Sequence, residues 1–124
     1  MTILFIGSSN EFLGAYAQDI AGVHTVILSR DTPARTAARL ACMAAEIALV
    51  ILDVDHTHGS VAAAHAALRA HLPHSAHWAL FSGQQAALRR QLMQVGFERI
   101  LSPGDDLPAL VAALHRTRFT DFEK

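Results

Sequence analysis

The amino-acid sequence predicts a doubly wound α/β fold, in which helices cover both faces of a parallel sheet of five strands. Short apolar runs bounded by turn residues alternate with longer segments of helical periodicity, which is the pattern of successive βα units. Four of the five runs are rich in Ile, Leu, Val or Phe and lack a clear alternation, as expected of strands buried on both faces. The length of 124 residues allows one domain.

The predicted strands are residues 2–6, 24–28, 48–52, 77–81 and 98–101. The predicted helices are residues 10–20, 33–45, 60–71, 84–95 and a last helix that begins at residue 107. Capping residues stand at the ends of these helices: Asp31 and Thr32, Ser60, Asp105 or Asp106, and the C-terminal Gly96. The short connections predict right-handed crossovers, and the carboxyl edge of the sheet is where a functional site is expected.

Charge and cysteine content exclude several classes of protein. Ten Lys and Arg against eleven Asp and Glu give a formal net charge of -1, which predicts no direct contact with nucleic acid. The single Cys42 cannot form an intramolecular disulfide, and with no signal-like segment at the start this predicts a cytoplasmic location. We expect Cys42 to be a small core residue of the second helix. The apolar run that ends at Asp53 is far shorter than the roughly 20 residues of a membrane helix, so no membrane partner is expected.

Asp53 is the most informative residue of the predicted carboxyl edge. It follows Leu-Val-Ile-Leu directly, at the end of the third strand, where a carboxylate would be partly desolvated and presented to the ligand crevice. The other segments at this edge are residues 7–10, 29–31, 82–83 and 102–104.

Residues 48–55, Ala-Leu-Val-Ile-Leu-Asp-Val-Asp, resemble the third strand of a response-regulator receiver domain, with Asp53 at the phosphoacceptor position. Phe-Ser-Gly at residues 81–83 looks like the end of that family's fourth strand, where Ser82 would hydrogen-bond the phosphoryl group. Residues 96–107 resemble the fifth strand and the approach to the last helix. The resemblance covers nearly the whole chain, and it implies a flavodoxin-like (βα)5 domain with strand order 2-1-3-4-5.

Four positions depart from the receiver pattern. Receiver domains hold Mg²⁺ with an acidic pair after the first strand, but Gly7 and Ser8 stand there and supply no carboxylate. The lysine that pairs with the phosphoryl group falls at Pro103, and the switch aromatic residue falls at Ile100. Because Lys124 is the only lysine of the chain, no small shift in the alignment restores the missing one.

These departures remove the groups that neutralise charge on a transferred phosphoryl group, a loss of several kcal/mol of transition-state stabilisation. We therefore predict a pseudo-receiver that acts through protein contacts, without enzyme activity or cofactor, and without control by Mg²⁺-dependent phosphorylation. Asp53 and Asp55 are the remaining candidate metal ligands. One alternative retains phosphorylation of Asp53 with altered geometry, using Ser82 and cation contacts from Asp55 or an arginine.

Three other kinds of site are weighed against simpler explanations. Residues 7–14 with Arg30 could bind a nucleotide, but their spacing fits neither glycine-rich motif, and a tight turn followed by a helix cap is simpler. Two acids and two histidines at residues 53–58 have the ligand capacity for a metal, yet the resemblance puts most of them in a loop. His71, His74 and His77 straddle Pro73 and are expected in a solvated loop. The nucleophile motif G-x-S-x-G is absent.

In receiver domains the face made by the fourth helix, fifth strand and fifth helix commonly mediates dimerisation, so the resemblance predicts a homodimer here. The corresponding candidate interface residues are Arg89, Arg90, Arg99, Asp105, Asp106 and Arg116. Their mixed charges suit a two-fold interface. We expect residues 1–117 to form the domain and residues 118–124 to be a tail or the start of a linker. An effector domain beyond it would make this the regulatory domain of a transcriptional regulator.

Overall fold

The computed structural model describes residues 1–7, 17–56, 59–102 and 104–122, with residues 56 and 117–122 described by their backbone alone. Its centre is a parallel sheet of five strands in the order β2-β1-β3-β4-β5. The strands are β1 (Thr2–Ile6), β2 (Thr25–Ser29), β3 (Ile47–Asp53), β4 (Ala76–Leu80) and β5 (Arg99–Leu101). The predicted fold class and strand order are confirmed.

Helices follow the strands as predicted. They are α1 (described at residues 17–20), α2 (Pro33–Leu40), α3 (Val61–His71), α4 (Ala86–Val95) and α5 (Leu107–Phe122), with short 3₁₀ turns at Ala41–Met43 and Val54–His56. Most of the first predicted helix lies outside the described residues.

Side-chain caps begin three of these helices. The Thr32 hydroxyl accepts the Arg35 N–H, the Ser60 hydroxyl accepts the Ala63 N–H, and the Asp106 carboxylate accepts the Ala109 N–H.

The two faces of the sheet are covered by different helices. Alternate residues of β1, β3 and β4 point to opposite sides, as the pleat requires. One side packs Ile3, Phe5 and Trp78 against the Leu107 and Val111 side chains of α5. The opposite side packs a second cluster of buried residues from the sheet, α2, α3, α4 and the loop after it: Leu4, Ile6, Ala37, Ile47, Val50, Leu52, Ala64, Leu68, Leu72, Ala79, Leu92 and Phe97. Burial on both faces explains why the central strands are continuous apolar runs.

Several predicted boundaries differ from the structure. β3 includes Asp53, which pairs with Leu80, because the hydrogen-bonded ladder continues one residue past the apolar run. α2 ends at Leu40 and tightens into a 3₁₀ turn, so Cys42 lies outside the helix and is exposed; the expectation of a core cysteine is wrong. α5, for which the sequence predicted only the start, ends at Phe122. Among the described helices, none is long and apolar enough to cross a membrane.

Candidate functional site at the carboxyl edge

Asp53 is the last residue of β3, at the carboxyl edge of the central strand. Asp53 is 1% exposed. It is therefore more deeply buried than the partly desolvated carboxylate that the sequence predicted. The register pairs Ile6 with Leu52, so the following residues, Gly7 and Asp53, stand at the same level of neighbouring strands. The Gly7 N–H donates to the Ser29 carbonyl at 3.0 Å. Hence the first strand continues its ladder here and brings no side chain to the site.

Asp55 and Ser82 follow the neighbouring strands β3 and β4, and the structure brings them together. The Asp55 carboxylate accepts the Ser82 backbone N–H at 2.9 Å. Both residues are exposed. This contact joins the 3₁₀ turn after β3 to the loop after β4. The Asp55 carboxylate, the second of the candidate site, is therefore already hydrogen-bonded to the backbone.

Arg89 of α4 contacts the backbone of two neighbouring segments. Its guanidinium donates to the Gly83 carbonyl at 3.0 Å and to the Ile100 carbonyl at 3.4 Å, and the residue is half-buried. The Arg89 guanidinium therefore bridges the β4–α4 loop and β5. No sequence pattern indicates this, because both acceptors are backbone carbonyls.

The other predicted interface residues lie at or near the surface of α4, β5 and α5. Arg90, Arg99, Asp105, Asp106 and Arg116 are exposed. The Arg99 guanidinium carbon lies 5.6 Å from the centre of the Trp78 ring, within the range of a cation–π contact. The Asp105 carboxylate accepts the Ser102 N–H at 2.7 Å and fixes the turn before α5.

Some residues of the remaining predicted sites lie within the described part of the chain, and others lie outside it. Ser8, Pro103 and Lys124 lie outside the described residues, as does most of the glycine-containing segment after β1. Arg30 is exposed after β2. The three histidines around Pro73 do not form a solvated loop as a group, since His77 is buried within β4. Within the described ranges, no group of three or more His, Cys, Asp or Glu residues could hold a metal ion.

The charged side chains described at this edge are buried or engaged with the backbone of the chain. Asp53 contributes a buried carboxyl, Asp55 is engaged with a backbone donor, and Arg89 is engaged with two carbonyls. The loops around the site are held to one another by these side-chain contacts to the backbone.

Comparison with known proteins supports the fold. No family model and no curated protein sequence matches this chain. A signal receiver domain from Vibrio parahaemolyticus is similar at a TM-score of 0.73 and 16% identity, covering 99% of this chain and 96% of the other. A pilus assembly-related protein of Burkholderia pseudomallei is similar at a TM-score of 0.75 and 18% identity, covering 94% of this chain and 87% of the other. The RcsB response regulator of Salmonella typhimurium is similar at a TM-score of 0.76 and 15% identity, covering 94% of this chain and 62% of the other. The fold is that of a receiver domain.

Proposed function

We propose that this chain is a pseudo-receiver, a signalling module with the receiver fold that acts through protein contacts and is not controlled by Mg²⁺-dependent phosphorylation of Asp53. We further propose that it has no enzyme activity and works in the cytoplasm. The observation that carries the proposal is the buried Asp53 beside Gly7, a position from which no carboxylate can join it to hold a cation.

Two physical arguments support the loss of phosphoryl chemistry. A hard cation such as Mg²⁺ needs several oxygen ligands, usually with carboxylates among them, to offset the loss of its water shell. Here Asp55 is the second carboxylate of the edge, and it accepts the Ser82 N–H. The chain also lacks a lysine before Lys124, so the compact cation that pairs with a phosphoryl group in receivers has no counterpart here.

A homodimer through α4, β5 and α5 is part of the proposal. Met93 is 49% exposed on α4 and lies three residues after Arg90, so the two side chains share one side of the helix. The exposed Met93 and Arg90 on α4, the exposed Arg99 on β5, and Asp105 and Asp106 at the start of α5 together offer an apolar side chain and both signs of charge to a two-fold copy.

Sedimentation velocity tests this proposal with one variant and one matched control. We expect a dimer that forms without any phosphodonor, and we expect Arg90→Glu to weaken it at least about tenfold, or about 1.4 kcal/mol. Arg30→Glu removes an exposed arginine at the opposite side of the sheet and is expected to leave the dimer unchanged.

Beryllofluoride with Mg²⁺, a mimic of the phosphoryl group, is the second arm of the same experiment. The proposal predicts the same sedimentation profile with and without it. A monomer in every sample would refute the homodimer, whereas a dimer that forms only with the mimic would refute independence from phosphorylation.

We propose two settings in which this module could work. RcsB is described in connection with DNA interaction, which favours the regulatory domain of a transcriptional regulator. The Burkholderia protein is described as pilus assembly-related, which favours an assembly protein as the second candidate. Any coding sequence that adjoins this module distinguishes them: a DNA-binding domain supports the first, and a segment similar to pilus assembly proteins supports the second.

A further inference from the structure

Two buried histidines face each other beneath the joint between α4 and β5. His65 of α3 is 6% exposed and His77 of β4 is 1% exposed. Their ring centres are 5.4 Å apart with the planes at 70°, and the His65 ring also meets the Phe97 ring at 4.9 Å. Neither ring takes part in the site at the carboxyl edge.

Each ring has one buried nitrogen without a hydrogen-bond partner. His77 Nε2 donates to the Leu72 carbonyl at 2.9 Å, and the His65 ring packs against Gly96. His77 Nδ1 and His65 Nε2 are buried without a hydrogen-bond partner. These two atoms are the positions at which a neutral ring would take its second proton, so protonation would place a charged, unpartnered N–H in the core.

The charged surroundings oppose protonation as well. Burial is the largest cause that lowers the pKa of both His65 and His77 below the ordinary value of histidine. Arg69, one turn along α3 from His65, lowers both pKa values further, and His77 lowers that of His65. The opposing influences are the hydrogen bonds to the Gly96 and Leu72 backbone. The Glu98 side chain, on the segment that follows Phe97, is exposed.

The backbone after α4 is attached to this pair directly. The Glu98 N–H donates to the His77 carbonyl at 2.8 Å, and Phe97 and Gly96 donate back to α4. Gly96 is so close to His65 that a Cβ there would lie 2.6 Å from the ring Cε1 atom. The His65 ring therefore packs directly against the segment 96–98, which leads into β5.

We propose that the His65–His77 pair is a pH-operated latch for the joint between α4 and β5. The neutral pair holds segment 96–98 closed, and protonation of the pair opens it. The sign follows from linkage: a histidine whose pKa is lower in the folded state stabilises that state above the ordinary pKa, and the stability falls as the pH drops below it. This latch does not depend on the proposed pseudo-receiver function.

Hydrogen–deuterium exchange of the amide groups tests the latch in the unmodified chain. Between about pH 7.5 and about pH 5, after correction for intrinsic exchange, the Glu98 amide is expected to lose at least about tenfold of its protection. The amides of β1 and β3 are expected to keep theirs. An equal change at all three places, or no change at Glu98, would overturn the proposal.

Two variants and a direct titration complete the test. His65→Phe keeps a ring but cannot titrate, and we expect it to remove most of the pH response at Glu98. His71→Gln changes an exposed histidine at the end of the same helix and should leave the response intact. If His65→Phe fails to fold, an NMR titration of the wild-type imidazoles decides: titration of both rings near the ordinary value of about 6.5, without a change at Glu98, would refute the latch.

Discussion

Phe97→Ala is expected to lower the free energy of unfolding by about 3–5 kcal/mol. Phe97 is 2% exposed and belongs to the cluster that joins α3 and α4 to the sheet, where it touches the His65 ring. Removing the ring loses its transfer free energy and leaves a cavity between elements that cannot fully close. Since a small domain is stable by about 5–15 kcal/mol, this single change takes a large share of the total.

Urea unfolding measures this loss, and Val23→Ala is the matched control. Val23 is 79% exposed, so its truncation is expected to change the free energy by no more than about 0.5 kcal/mol. The slope of the urea titration should stay the same in both variants, which would indicate an unchanged denatured state. A loss below about 1 kcal/mol for Phe97→Ala would mean that the packing around α4 and β5 is not as described.

Gly96→Ala is the second large expected effect. Gly96 has a φ of +128°, and an added Cβ would lie 2.6 Å from His65 Cε1 and 3.1 Å from His65 Nε2. The backbone conformation alone costs a non-glycine residue about 1–3 kcal/mol. Displacement of the buried His65 ring adds to this cost. The total loss in the free energy of unfolding should therefore exceed the loss from backbone strain alone.

Gly22→Ala separates the two contributions. Gly22 also has a positive φ, +93°, but nothing lies within 4 Å of a Cβ built there. Both variants therefore carry backbone strain, and only Gly96→Ala meets a side chain. We expect the larger loss for Gly96→Ala and a partial recovery of the difference when His65→Ala is added; equal losses in thermal unfolding of the two single variants would contradict the close packing of Gly96 on His65.

The elements of the fold could be predicted because each depends on local chemistry. Parallel strands that are buried on both faces consist of continuous apolar runs, so the sequence predicts β1 and β3. Helix ends were visible for the same reason: Ser60 is a side-chain cap and Gly96 is a residue that tolerates positive φ. Boundaries moved by one or a few residues, because the hydrogen-bonded ladder rather than the apolar run decides where a strand ends.

The contacts of the candidate site could be predicted only in part. The sequence places Asp53, Asp55 and Ser82 at one edge, as the parallel topology requires, but it carries no sign that Asp55 accepts a backbone N–H of Ser82. The contacts of Arg89 are the hardest to predict, because its guanidinium donates to two backbone carbonyls and every residue has such a carbonyl. Such pairings depend on loop conformation, which has no compositional signature.

The buried histidine pair was missed for a different reason. His65 stands in an alanine-rich helix where a polar residue is usually solvated, and His77 was expected to belong with neighbouring histidines. A usable signal existed, because His65, Leu68 and Leu72 recur at helical spacing and Leu68 and Leu72 are fully buried. The position of His65 on that apolar stripe was sufficient to predict its burial, but not its partner on β4.

Intact-mass spectrometry after incubation with acetyl phosphate and Mg²⁺ tests the central claim most directly, with Asp53→Asn as the comparison. Because Asp53 is buried beside Gly7 and the chain has no lysine before Lys124, we predict that the wild-type mass will not increase by one phosphoryl group. A phosphoryl adduct on the wild-type chain that is absent from Asp53→Asn would contradict the account and identify a working receiver.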